Sequence, residues 1–124
     1  MKLYFCISPK NNKFYKAKYV KQWAGKGEYA QFEFKIEYCE NNTVEIIVSK
    51  DIGYLENQFI KPIKSQFKNC LIHLLDEQSL ILTNCKITIL NITFHEIDSS
   101  DHAFEMATII GFKDLVLDLL KKEL

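Results

Sequence analysis

Between Gln31 and Tyr38 apolar and polar residues alternate without a break: Phe32, Phe34, Ile36 and Tyr38 fall on one side of an extended chain, and Gln31, Glu33, Lys35 and Glu37 on the other. Successive side chains of a strand point to opposite faces, so this period predicts a strand with one face in a core and the other in water. Asn41-Asn42 then supplies turn chemistry, and Val44, Ile46 and Val48 repeat the period over Thr43 to Ser49. Upstream, Leu3 to Ser8 reads as a strand, and Pro9-Lys10-Asn11-Asn12 as a turn leading into a second extended stretch from Phe14 to Val20, which together predict a hairpin. Leu80 to Phe94 is rich in β-branched residues with a break near Asn84, and the alternation of Cys85, Ile87 and Ile89 with Lys86, Thr88 and Leu90 places a strand from about Cys85 to Phe94.

The period changes twice. Ile63, Phe67, Cys70, Leu71 and Leu74 recur at helical spacing behind a loop around Gly53, with Pro62 tolerated in the first turn, so a helix is expected from about Lys61 to Leu74. Asp98-Ser99-Ser100-Asp101 is a cluster of helix-capping residues, with Asp98 the expected cap, and opens a helix that runs to the C-terminus. Ala103, Phe104, Ala107, Ile110, Leu115, Leu117 and Leu120 make that helix apolar over a broad arc, so it is expected to lie against the sheet. The order ββββαβα predicts an α+β fold, two helices on one face of a mostly antiparallel four-stranded sheet.

Composition narrows the class. With 124 residues, 48% hydrophobic and 26% charged, the chain can close a single core, and one domain over residues 1–124 is expected. Sixteen basic and sixteen acidic residues cancel, which leaves no global field to draw the protein onto nucleic acid or an anionic membrane; any such contact must be local. Cys6, Cys39, Cys70 and Cys85 form no C-x-x-C pair and lie in apolar segments, where reduced thiols behave as small hydrophobes and are expected buried. Leu3 to Ile7 is too short for a secretory leader and no run suits a bilayer, so the expected setting is the cytoplasm, without membrane contact. The terminal Lys121-Lys122-Glu123-Leu124 and the sequons at Asn41 and Asn91 are read as chance matches in that setting.

Two segments carry a family resemblance. Lys21-Gln22-Trp23-Ala24-Gly25-Lys26-Gly27-Glu28-Tyr29-Ala30-Gln31-Phe32 is similar to the Gly-rich tip loop, and the strand leaving it, of elongation factor G domain IV. Phe94-His95-Glu96-Ile97-Asp98-Ser99-Ser100-Asp101-His102-Ala103-Phe104 resembles the aromatic-His-acid-Val-Asp-Ser-Ser motif before that family's last helix, and is the more specific match. The resemblance runs from about Ile7 to Leu120 and implies a four-stranded sheet, two helices and a left-handed βαβ crossover. It also implies an arm whose tip enters the ribosomal decoding region. Mapped onto this chain, the RNA-binding tip comprises Gln22, Trp23, Gly25, Lys26 and Gly27 in the first loop and Asn91, Thr93 and His95 in the second. Trp23 and Ala24 stand where small, flexible residues are usual, Ala30 replaces a usual Gly, and Ile92 replaces the Gly of the second loop.

Each candidate has a plain structural reading beside the chemical one. Gly25-Lys26-Gly27 with Lys18 and Lys21 suits phosphate contact, because glycine lets a backbone approach closely, but the same residues also make a solvated hairpin turn. Trp23 either stacks on a base or folds back over the sheet. His95, Glu96, Asp98 and His102 hold metal-type ligands within a short span, yet strand alternation and the cap role of Asp98 argue against convergence, so no metal and no cofactor are expected. His73 reads as a structural residue on its helix, and no apolar Cys is placed to pair with an imidazole as a nucleophile, so no catalytic residues are expected.

No G-x-x-x-x-G-K-[ST] phosphate loop occurs, which excludes hydrolysis-driven work by these residues. The sequence therefore points to a binding module, not an enzyme, that contacts the ribosome or RNA through its tip loops. The alternative is a protein-protein interaction adaptor or inhibitor that kept the fold and lost the ribosome. Weak homo-oligomerisation is also expected, through apolar surface that neighbouring domains cover in the full factor.

Overall fold

The computed structural model describes residues 3–123 and contains six strands and two α-helices. β2 (Lys13–Trp23) and β3 (Lys26–Tyr38) form a long antiparallel hairpin, β6 (Cys85–Thr93) pairs antiparallel with β3, and β4 (Val44–Val48) pairs parallel with β6. The sheet order is β2-β3-β6-β4. Between β4 and β6 the chain crosses over through a 3-10 turn (Glu56–Phe59), helix α1 (Ile60–Gln78) and the short β5 (Leu80–Leu82). Helix α2 (Asp101–Glu123) ends the fold.

Both helices lie on the face to which β3 turns Phe32, Phe34 and Ile36, all fully buried. Phe67 of α1 meets Phe34 edge-on at 5.3 Å, and Gly111 of α2 sits so close that an added Cβ would lie 2.8 Å from Ala17 Cβ and 2.9 Å from the Phe34 ring. Glycine is what lets α2 reach the sheet at this crossing. The buried Thr108 hydroxyl is satisfied within its own helix, donating to the Phe104 carbonyl at 2.7 Å. The α+β architecture expected from the pattern, with two helices on one face of a four-stranded sheet, is the architecture found.

Four local expectations are corrected. The first strand, β1 (Phe5–Ile7), does not form a hairpin with β2; it pairs parallel with β5 in a separate two-stranded sheet. Local turn residues at Pro9 to Asn12 suggested the nearest partner, whereas the Leu80 to Leu82 run offers β1 a distant apolar one. Helix α1 extends past Leu74 to Gln78, through Asp76 and Glu77 whose exposed side chains carry no apolar period, and stops where Ser79 adopts a left-handed φ of 55°. On α2, Ile110 and Leu117 face outward, since a helix packed on a sheet buries only one side of its surface, and Tyr38 is exposed as the last residue of β3. Of the thiols only Cys70 and Cys85 are buried, and Cys6 is exposed. The C-terminal Leu124 of the tail noted above lies outside the described residues.

Candidate nucleic-acid interface

The first tip loop is shorter than its glycines suggest. β2 runs to Trp23 and β3 starts at Lys26, so the turn is only Ala24-Gly25, with φ of 44° and 78°. Two successive positive φ values define the primed turn that matches the right-handed twist of a hairpin. Gln22 pairs with Gly27 and Trp23 with Lys26 across the hairpin. Trp23 neither points free into solvent nor buries itself: it is 42% exposed, and the Lys21 ammonium lies 5.0 Å from its ring centre on the same face of the strand.

The second tip loop is likewise part of the sheet. Asn91 to Thr93 lie within β6, where the register with β3 slips by one: Glu33 faces Leu90, but Gln31 faces Thr93. Asn91, at a φ of 44°, is the extra residue of this bulge, and its insertion turns Ile92 toward the core, 8% exposed, while Asn91 and Thr93 remain exposed. Without the bulge the β6 period would have sent Ile92 outward.

Beyond β6, residues 95–99 fold back along the hairpin and are fastened to it at Tyr29. The His95 and Tyr29 rings stack at 3.9 Å with 4° between their planes. Ser99 Oγ donates to the Tyr29 carbonyl at 2.7 Å and accepts the His95 amide at 2.9 Å, and the Tyr29 amide donates to the Asp98 carbonyl at 3.0 Å. The Asp-Ser-Ser stretch thus divides its work. Asp98 is not the cap of α2; Ser100 is, with Oγ accepting the Ala103 amide at 3.1 Å, while Ser99 holds the tip.

Residues 22–27 and Asp98 together line a cavity of about 470 Å³. It gathers five of the eight residues expected at the tip, Gln22, Trp23, Gly25, Lys26 and Gly27. His95 joins them indirectly through Tyr29, and Asn91 and Thr93 stand further along the sheet, where Thr93 is level with Gln31. Asp98 is the member that sequence reasoning missed, since its type fitted a helix cap. Elsewhere, burial raises the Cys85 thiol to about 12, with Cys39 nearby adding to the shift, and burial also raises Cys70. Burial, then the Asp118 carboxylate at 2.6 Å, raise the Tyr15 hydroxyl. Among the described residues no group of three or more His, Cys, Asp and Glu side chains is placed to hold a metal ion, and no helix is long and apolar enough to cross a membrane.

A family model described as elongation factor G, domain IV, matches residues 6–118. Curated relatives include elongation factor G of Mycoplasma genitalium, 27% identical over 100 residues, and of Mycoplasma pneumoniae, 28% identical over 97. Elongation factor G 1 of Syntrophomonas wolfei is 31% identical over 101 residues. Each alignment covers 78% of this chain but 14% of the relative, so the chain spans about one seventh of these proteins. A crystal structure from Thermus thermophilus superposes with a TM-score of 0.72 at 23% identity, covering 92% of this chain and 17% of that one, which establishes the likeness of fold. On the match to 6–118, the chain belongs to the elongation factor G domain IV family.

Proposed function

We propose that this chain is a binding module of the translation apparatus in the cytoplasm, which contacts the ribosome or RNA through its hairpin tip and performs no catalysis. The observation that carries this is the fastening of the tip: a two-residue turn bearing Lys26 between two glycines, held to residues 95–99 by the Tyr29–His95 stack and by Ser99. A turn fixed in this way pays little ordering entropy when it docks. Exposed Lys26 then stands between Gly25 and Gly27, where the backbone carries no side chain, which suits phosphate contact. The buried thiols, with their raised pKa values, are poorly suited to act as nucleophiles.

A second reading, a protein-interaction adaptor or inhibitor on the same fold, is favoured by Ile97, which is 94% exposed on the tip segment. Co-sedimentation with purified small ribosomal subunits at low salt separates the two. The first reading expects the wild-type chain in the ribosomal pellet, and its absence there favours the adaptor.

A further inference from the structure

Asp98 is the unusual member of the tip cavity. Its carbonyl oxygen is engaged by the Tyr29 amide, but among the described residues no donor takes its carboxylate. The carboxylate packs on Gly27, where the position of an added Cβ would lie 3.2 Å from its carbon and 3.2 and 3.3 Å from its two oxygens. Near-equal distances to all three atoms put that position over the face of the group, not beyond its edge. The lone pairs lie in the carboxylate plane and therefore do not point at Gly27. Two adjacent acceptors, half-buried and without donors, fit a planar ligand with two parallel N–H groups.

Two common biological groups have that fork, the Watson–Crick edge of guanine and the guanidinium of arginine. The rest of the tip separates them. Lys26 lines the same cavity, so an incoming cation meets an ammonium group there whereas a nucleotide brings a phosphate to it. Gln22, also lining the cavity, has an amide N–H to offer the guanine O6. We propose that the tip cavity is a site for one unpaired guanine of a single-stranded RNA. Asp98 accepts from N1–H and N2–H, Gln22 donates to O6, and Lys26 neutralises the neighbouring phosphate. This rests on the tip being an RNA contact and adds the base that it reads.

The test is fluorescence anisotropy with short uridine oligoribonucleotides that differ only in a central guanine, inosine or adenine. The guanine oligonucleotide is expected to bind about tenfold more tightly than the other two, inosine having lost the N2 amino group and adenine both matched donors. Asp98→Asn, which replaces one acceptor by a donor at nearly unchanged size, is expected to erase that preference without changing the melting temperature. Gln22→Ala, at an exposed position, is expected to weaken it and serves if the first variant folds poorly. Equal binding of all three oligonucleotides overturns the guanine site and leaves the RNA contact standing. Failure of all three to bind overturns both, as does Asp98-dependent binding of an arginine-rich peptide in their place.

Discussion

The imidazole of His95 lies flat on the ring of Tyr29, 3.9 Å away and within 4° of parallel, so the end of β6 and the middle of the hairpin arm are joined by side chains as well as by backbone. Ser99 closes the same joint, with one hydroxyl serving a carbonyl on one side and an amide on the other. Ser99→Ala is expected to lower stability by about 1–2 kcal/mol, since two partners lose their hydrogen bond at a partly buried site. Chemical denaturation gives the stability change. In the NMR spectrum the His95 ring protons, shifted upfield by Tyr29 in the wild type, should move toward free-histidine positions in the variant.

The joint also marks where the sequence was legible. The Asp-Ser-Ser signature announced both a helix start and a family, and α2 does begin directly after it. Which hydroxyl caps and which braces was not readable, because Ser99 gains its role from Tyr29, seventy residues away along the chain. The alternation that located β3 and β6 was legible for the same reason that the β6 bulge was not: a period of two is local, whereas a single-residue slip shows only against the partner strand. The helices were found from their apolar spacing, but that spacing showed neither the run of α1 through exposed Asp76 and Glu77 to Ser79 nor the outward side of α2 that carries Ile110 and Leu117. Five of the eight tip residues came together because residues 22–27 are one short hairpin end; Asp98 reached them through a tertiary contact.

Gly111→Ala tests the helix–sheet crossing. Helix propensity alone favours alanine by about 1 kcal/mol. Overlap with Ala17 and Phe34, at 2.8 and 2.9 Å inside a closed core, opposes it. Forcing such contacts apart typically costs about 1–3 kcal/mol, so a net loss of stability is expected in urea denaturation. A gain would mean that α2 can lift off the sheet without penalty.

Ala24 occupies a left-handed conformation, with φ at 44°, that favours Asn or Gly. Ala24→Asn keeps a side chain while relieving that strain, and is expected to raise stability by roughly 0.5–1 kcal/mol with the hairpin unchanged. Thermal unfolding monitored by circular dichroism measures it; an unchanged or lower midpoint would contradict the primed turn.

Cys85 sets a pH dependence. Burial raises its thiol from 9.0 to about 12, so the folded chain holds a proton that the unfolded chain releases. The sign follows from linkage: this contribution is fully present below pH 9 and is lost as pH rises through 9 toward 12, by at most about 1.4 kcal/mol per pH unit. Stability measured from pH 8 upward in reducing buffer should fall more steeply for the wild type than for Cys85→Ala, and parallel slopes would show that the thiol is not held protonated by the fold.

Binding to the small ribosomal subunit is the central claim, and Lys26→Glu is the variant that isolates it. His95 is unsuited to that purpose, since its stack on Tyr29 makes it part of the fold as well as of the tip. Lys26 is exposed at the end of the hairpin, where substitutions change stability by no more than about 0.5 kcal/mol. The measurement is the affinity of the wild-type chain and of Lys26→Glu for purified small subunits by co-sedimentation across a salt series. The account predicts that the wild type binds at low salt, that the variant binds more weakly at the same melting temperature, and that its salt slope is shallower by about one counterion. A wild-type chain that stays in the supernatant at every salt concentration, or a variant that binds as tightly and with the same slope, would contradict it.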